Sequence, residues 1–169
     1  MKVNIYYGGR GLIGDPTLYV INKIQEVLTE LRVNVGRYNL HEQKNGISML
    51  PNTFKDAEAV ILAVNVEWCG IGGLMQTFLD SCWLYADKNK LKKIYMFPVV
   101  ISTTTGEAEA EYMLSKAWEI LGGTVYPGIR AYDKRIAVMP CIPIFFLQFG
   151  DPGFRLFRGI HRKNICYKS

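Results

Sequence analysis

The sequence contains few of the residues that bind metals or build disulfide scaffolds. It has 4 cysteines and 2 histidines among 169 residues, and no two cysteines form a C-x-x-C pair. Metal ligands converge at short spacing, and disulfide-built domains are dense in cysteine, so we expect neither a metal site nor a disulfide framework. The thiols are then expected to be reduced, and Cys69 to be an incidental thiol rather than a redox nucleophile.

Long apolar runs and a leader are also lacking. The chain starts with MKVNIYYGG, which passes directly into a strand pattern without the charged start and apolar stretch of a signal peptide. No apolar run is long enough to cross a bilayer as a helix. These features predict a cytoplasmic protein.

An excess of one charge is absent from most of the chain. The net charge is +5, but the residues from Asp133 onward hold 7 lysines and arginines against 2 acids, which leaves 13 of each sign before them. We expect residues 1–132 to fold as one domain. Residues 133–169 form an apolar and then basic tail, expected either to join that domain or to contact a second subunit. No nucleic-acid recognition element accompanies the basic end, so no such partner is expected.

The stretch from Ala59 to Asp80 is the centre of the predicted fold. Its first part, Ala59 to Val66, is an apolar and β-branched run typical of a strand buried on both faces. After a short turn, apolar residues recur at the spacing of one helix face: Ile71, Leu74, Met75, Phe78, Leu79 and Cys82. A buried strand, a short loop and a helix form half of a βαβ unit.

Strands and helices alternate through about residue 130. The other predicted strands are Val3–Tyr7, an edge strand over 33–40, Ile94–Ser102 and Thr124–Ile129. Helices are predicted after Asp15-Pro16-Thr17, a cap signal, and from Glu107, and residues 41–52 are predicted to be a polar, turn-rich connection. Because Pro98 lacks an N–H group, its strand is expected to bulge or break there. The pattern predicts a doubly wound α/β fold with a parallel sheet. Two prolines argue against a further covering helix in the tail.

Three loops are expected to meet at the carboxyl edge of this sheet, where open parallel sheets bind ligands. The first, 8–17, offers backbone N–H groups, a helix N-terminus, Arg10 and Thr17, which suit a phosphate. The second, 65–71, offers the Trp68 ring, and the third, 102–106, offers hydroxyls and Gly106. Together they fit a phosphorylated planar heterocycle. The candidate contacts are Gly9, Arg10, Gly14, Asp15, Thr17, Asn65, Val66, Glu67, Trp68, Cys69, Gly70, Thr103, Thr104, Thr105 and Gly106.

Each loop also has a purely structural interpretation. The glycine-rich turn of the first loop is equally typical of a simple connector between a strand and a helix. Packing is the structural explanation of Trp68, and capping of the helix that follows is that of the threonine run. The joint occurrence of the three loops at one edge favours a binding site.

The second loop carries a recognisable run, Trp68-x-Gly70-x-x-Gly73-Leu74-x-x-x-Phe78-Leu79-Asp80. This run, the order of elements and Thr105-Gly106-Glu107 resemble the flavodoxin-like NAD(P)H-dependent FMN reductases over about residues 1–130. The resemblance implies a five-stranded parallel sheet of order 2-1-3-4-5 with helices on both faces, followed here by an atypical C-terminal tail. It also implies non-covalent FMN, with the phosphate at the first loop and the ring between the other two.

The activity implied by the resemblance is two-electron transfer. Electrons pass from NADH or NADPH to the flavin and then to a quinone-, nitro- or flavin-like small-molecule acceptor. The flavin carries this chemistry, so we assign no catalytic side chain. The resemblance further implies a homodimer.

Several positions depart from the family pattern, and one of them bears directly on the cofactor. Asn65, Glu67, Gln76 and Ser81 replace usual family residues, and Asp15 stands where the family tends to have serine or asparagine. A carboxylate that caps the helix takes the N–H groups that a phosphate needs. If Asp15 turns away, the site survives. If it caps the helix, FMN binds weakly or another ligand binds.

Two other functions stay open on the sequence. One is a non-catalytic flavodoxin-like module for binding or assembly, with a degenerate flavin site. The other is contact of the tail with an anionic membrane surface, through aromatic residues such as Phe145 and Phe146 and basic residues such as Arg155 and Arg158.

Overall fold

The computed structural model describes residues 1–12 and 14–132. The predictions for the tail lie outside these residues. They concern its assignment to residues 133–169, the absence of a covering helix there, and its contact with a second subunit or a membrane.

A parallel sheet forms the centre of the molecule. Its strands are β1 (Lys2–Tyr7), β2 (Asn34–Asn39), β3 (Ala59–Asn65), β4 (Tyr95–Ser102), β5 (Thr124–Val125) and β6 (Ile129–Tyr132). The order is β2-β1-β3-β4, and β5 and β6 both pair with β4. The predicted order 2-1-3-4-5 is confirmed, with the fifth strand divided into β5 and β6, and β2 lies at the edge as expected.

Helices lie on both faces of the sheet, as predicted. They are α1 (Pro16–Glu30), α2 (Gly73–Tyr85), the short α3 (Lys88–Leu91) and α4 (Glu107–Ile120). Alternate strand residues such as Tyr6, Leu62 and Val100 share a core with α2 and α4. The buried side of α1 packs over β2, β3 and β4 on the opposite face.

The connection predicted to be polar and turn-rich is instead a 3₁₀ segment, Lys44–Asp56. It contributes Ile47, Leu50 and Phe54 to the core. The Phe54 ring packs edge-on against Tyr6 and Trp118, with centroids 5.5 and 5.8 Å apart. The prediction was wrong because the polar residues, Gly46 and Pro51 of this segment were interpreted as turns, although Ile47, Leu50 and Phe54 recur at the i, i+3 and i+7 spacing of one helix face.

The proline in the fourth strand affects its neighbour rather than its own strand. β4 runs unbroken through Pro98 and pairs with β3 along its length. Met96 O accepts the N–H of Tyr126 (2.9 Å), so the even-numbered residues of β4 face the fifth strand. The missing N–H of Pro98 therefore points to that side. On that side, two residues of β4 lie opposite the three residues 126–128, so the extra residue belongs to the neighbouring strand. The prediction that β4 itself bulges or breaks was wrong.

Gly128 lies in this bulge, and a Cβ at its position would overlap the carbonyl oxygen of Pro98. We predict that Gly128→Ala lowers the free energy of unfolding by about 1–3 kcal/mol, because the sheet must shift to admit a methyl group. Gly46→Ala is the matched control, since nothing lies within 4 Å of a Cβ built there. Urea unfolding followed by circular dichroism measures both. Equal stability of the two variants would show that the bulge does not require glycine.

Candidate functional site

The three loops that leave the carboxyl ends of β1, β3 and β4 touch one another. Arg10 Nε of the first loop lies 3.7 Å from Glu67 Oε1 of the second. A Cβ on Gly106 of the third loop would lie 2.7 Å from Cys69 Cα, so backbone approaches backbone there. The expected convergence of the loops at one edge is therefore observed.

Asp15 caps α1. Of the two positions considered for this carboxylate, this is the one that opposes binding of a phosphate. Its Oδ1 accepts the N–H of Thr17 (2.8 Å), and its Oδ2 accepts the hydroxyl proton of Tyr7. The N–H of Leu18 donates to the carbonyl of Asp15 (3.1 Å), and Pro16 has no N–H. The N–H of Asp15 itself donates to Leu12 O (3.1 Å). No backbone donor from Asp15 to Leu18 is left for an anion.

The Tyr7 phenol fills the space beneath the first loop. It also accepts the N–H of Gly11 (3.2 Å), and a Cβ on Gly9 would overlap its hydroxyl. Burial, and then the hydrogen bond to Asp15, raise the pKa of Tyr7 above its usual value, so the phenol stays protonated and donates to the carboxylate. Sequence reasoning missed this role. The available signal was an aromatic residue with a hydroxyl at the end of β1, directly before the glycine-rich loop.

The second loop is a tight turn in strained backbone. The N–H of Glu67 donates to Gly70 O (3.1 Å), and the N–H of Gly70 donates to Glu67 O (2.9 Å). Between them, Trp68 and Cys69 both have left-handed φ angles, 51° and 57°. Such a conformation costs a non-glycine residue about 1–2 kcal/mol. The Trp68 side chain is 101% exposed, so the interpretation of Trp68 as core packing was wrong.

Glu67 places a second carboxylate at a helix N-terminus. A Cβ on Gly72, the residue before α2, would lie 3.3 Å from Glu67 Oε2. Among the described residues, no side chain hydrogen-bonds as a cap to α2, and the Glu67 carboxylate lies near the positive end of that helix. Its other oxygen interacts with Arg10.

The third loop is ordered by Ser102 and exposes its threonines. Ser102 Oγ accepts the N–H of Thr104 and donates to the carbonyl of Thr105, both at 3.1 Å. Residues 103–105 are exposed, and none of them caps α4, whose N-cap is Gly106 in a left-handed conformation. The interpretation of the threonines as helix caps was wrong. Glu107 lies in the first turn of α4 and supplies the third carboxylate at a helix N-terminus.

Three buried polar atoms on these loops have no hydrogen-bond partner among the described residues. They are Thr17 Oγ1, Asn65 Oδ1 and Glu107 Oε2. Buried polar atoms in folded proteins are nearly always paired, so each of these three indicates a missing partner. An amide oxygen and a carboxylate oxygen accept hydrogen bonds and do not donate them. Any group that pairs with these two oxygens therefore presents an N–H or O–H group.

The charges of the loops test the fit of FMN. Asp15, Glu67 and Glu107 stand against a single cation, Arg10, which already interacts with Glu67. Two like unit charges 4 Å apart repel by about 4 kcal/mol at an effective dielectric constant of 20. A flat ring with N–H and O–H groups fits the exposed tryptophan and the unpaired acceptors. A dianionic phosphate at the N-terminus of α1 does not fit.

All the residues predicted for the site lie on the three loops, but they differ in what they can offer a ligand. Gly9, Asp15 and the N–H of Thr17 serve contacts inside the first loop. Gly14 has φ 84° and open space around it. The N–H of Val66 donates to Ile101 O (2.8 Å) and joins the second loop to β4. The side chains turned outward are those of Arg10, Trp68, Cys69 and the three threonines.

The described residues contain neither a cluster of metal ligands nor a helix that could span a membrane. Within 1–12 and 14–132, no three histidine, cysteine, aspartate or glutamate side chains are placed to hold a metal ion together. In the same residues, no helix combines the length and the apolar character needed to span a bilayer.

Comparison with known proteins shows the fold. No family model matches the sequence, and no curated protein matches it. Solved structures do match, and the chain has the flavodoxin-like fold, as the resemblance implied.

Three of the similar structures are oxidoreductases. An NADH:FMN oxidoreductase in its apo form is 13% identical, with a TM-score of 0.66 over 85% of this chain and 83% of that one. An NAD(P)H:quinone oxidoreductase from Methanothermobacter marburgensis is 14% identical, with a TM-score of 0.65 over 85% and 89%. An FMN-dependent NADH-azoreductase from Bacillus anthracis, in complex with FMN, is 15% identical, with a TM-score of 0.65 over 88% and 93%.

Gly106 sets the contact between the second and third loops. We predict that Gly106→Ala lowers the free energy of unfolding by about 2 kcal/mol or more, because alanine is strained at φ 96° and its Cβ would press on Cys69. Gly73→Ala is the control, since Gly73 has open space and no left-handed φ. Chemical denaturation measures both. An equally stable Gly106→Ala variant would show that the two loops are not held in contact.

Proposed function

We propose that the chain is a flavin-dependent oxidoreductase. It transfers two electrons from NADH or NADPH, through a flavin bound at the three loops, to a quinone-, nitro- or flavin-like acceptor. The main support is the site itself, where a fully exposed tryptophan on a strained turn stands beside unpaired buried acceptors. Three oxidoreductases that share the fold, two of them named for their use of FMN, support the same class of function.

The residues of the chain bind and orient the ring in this proposal. Trp68 offers an aromatic plane for stacking, and the strained turn holds it away from the core. The contact between Cys69 and Gly106 fixes the second loop against the third. Asn65 and Glu107 accept hydrogen bonds from ring or side-chain N–H and O–H groups. The bound flavin supplies the redox chemistry, since none of these side chains exchanges two electrons.

One observation favours a second candidate, a non-catalytic module that uses the same fold for binding or assembly. Carboxylates lie at the N-termini of α1, α2 and α4, where a flavin phosphate or another anion would bind. A module that no longer binds cofactor would have no reason to keep these positions free. The two candidates differ in whether a reduced nicotinamide bleaches protein-bound flavin.

The first measurement is therefore a titration with riboflavin and with FMN, followed by anaerobic addition of NADH or NADPH. We expect at least one flavin to bind, with a shifted visible spectrum, and the reduced nicotinamide to bleach it. Protein that binds neither flavin would contradict the proposed activity and leave the non-catalytic module. Bound flavin that neither nicotinamide reduces would limit the chain to flavin binding.

Trp68 provides a residue-level test. We predict that Trp68→Ala weakens flavin binding about tenfold, because stacking of a flat ring on an aromatic side chain contributes about 1–3 kcal/mol. Trp83→Ala is the matched control, since Trp83 is also exposed but lies on α2, near Lys88. Quenching of flavin fluorescence measures both affinities. Equal losses in the two variants would show that the ring does not stack on Trp68.

The proposal retains two further expectations from the sequence, a homodimer and a cytoplasmic location. Light scattering on the purified chain, with and without flavin, measures its mass in solution. A monomer under both conditions would contradict the homodimer but not the proposed activity.

A further inference from the structure

We infer that the site prefers a flavin without a phosphate, with riboflavin as the simplest member of that class, over FMN. This rests on the proposed function, because it names the ligand of the same three loops. The juxtaposition that carries it is Tyr7 against Asp15 at the N-terminus of α1, where the phosphate of FMN was expected.

The first step is that the backbone donors at the N-terminus of α1, and the N–H of Gly11 before it, are already used. Thr17 N–H binds the Asp15 carboxylate, Leu18 N–H binds the Asp15 carbonyl, and Gly11 N–H binds the Tyr7 hydroxyl. An anion at this helix end would have to displace the carboxylate and expose the buried phenol beside it. A ligand that ends in a neutral hydroxyl requires neither change.

The second step is the charge of the surrounding loops. Besides Asp15, Glu67 lies at the start of α2 and Glu107 in the first turn of α4. The loops 8–17, 65–72 and 102–107 contain no lysine, and their one arginine, Arg10, interacts with Glu67. The first loop is neutral, since Arg10 offsets Asp15, and the second and third loops each carry one negative charge, so a phosphate dianion meets a net negative charge from the three loops together, which opposes its binding at short range.

The third step is the kind of hydrogen bond that the site lacks. Asn65 Oδ1 and Glu107 Oε2 are buried acceptors without partners among the described residues, and Thr17 Oγ1 is a buried hydroxyl in the same condition. An ionised phosphate offers no hydrogen to such acceptors. The ring N–H of a flavin and the hydroxyls of its ribityl chain do. Riboflavin and FMN share the ring N–H and all but the terminal ribityl hydroxyl, so the unpaired acceptors favour a flavin of either kind, and only the terminal hydroxyl, a donor that FMN replaces by phosphate, favours riboflavin.

The test compares riboflavin and FMN on the full chain and on Asp15→Asn. Asparagine caps helices as well as aspartate does and is nearly isosteric, so it removes the charge and keeps the fold. We expect the wild-type chain to bind riboflavin at least about tenfold more tightly than FMN. In Asp15→Asn, FMN affinity should rise about tenfold or more, and riboflavin affinity should change by less than about threefold.

Asp87→Asn is the matched control, because Asp87 caps α3 through the N–H of Asn89 (2.9 Å) and lies outside the three loops. It should leave both affinities unchanged. Calorimetric titration gives the dissociation constants without any turnover, and circular dichroism verifies that each variant is folded.

Three outcomes would overturn the inference, and they are distinguishable from failure of the proposed function. Wild-type protein that binds FMN as tightly as riboflavin would overturn it and leave the oxidoreductase proposal intact. The same holds for an Asp15→Asn variant with an unchanged ratio of the two affinities. If neither flavin binds to wild type or to Asp15→Asn, both proposals are wrong.

Discussion

The parallel pairing of β1, β3 and β4 is the constraint on which the rest of the site depends. Because these strands run in one direction, their loops and the N-termini of the following helices all come to a single edge. Each helix N-terminus carries unsatisfied N–H groups and a partial positive charge. This edge must therefore find negative partners, whatever else it does. In this chain, Asp15 supplies one by accepting the N–H of Thr17, and Glu67 and Glu107 place carboxylates near the N-termini of α2 and α4.

A helix end satisfied by its own side chain behaves differently from one that waits for a ligand. The Asp15 cap stabilises α1 by about 1 kcal/mol whether or not a ligand is bound. The Tyr7 phenol adds a buried hydrogen bond to the same carboxylate and closes the space under Gly9. The first loop is thus stabilised by groups of the protein itself and needs no ligand to hold its conformation. A helix N-terminus without such a cap has affinity for anions. The capped N-terminus of α1 lacks that affinity but is stable without a ligand.

The fold could be predicted from the sequence where the information is local or periodic. The buried run at Ala59–Val66, the stripe that includes Met75 and Phe78, and the cap signal at Asp15 all led to elements that the structure contains. What could not be predicted depends on register or on distant contacts. The side on which Pro98 lacks its N–H follows from sheet register, which the sequence does not display. The partner of the Asp15 carboxylate, Tyr7, is set by the direction in which the loop folds back. The same periodic patterns placed the candidate residues on the right loops. They did not predict the contacts that each residue makes.

The second loop shows the opposite physical state from the first. A left-handed backbone at both Trp68 and Cys69 would be relieved by glycine, and an indole in full solvent contact gains nothing from burial. Folding stability therefore does not account for either residue at this turn. In the proposed function, a ring stacked on Trp68 would bury the indole, and the strained turn would be preorganised for it. At the first loop, the Asp15 carboxylate and the Tyr7 phenol occupy the helix N-terminus. At the second loop, the Trp68 ring is exposed. That asymmetry separates recognition of a ring from recognition of a phosphate, two features that FMN joins in one molecule.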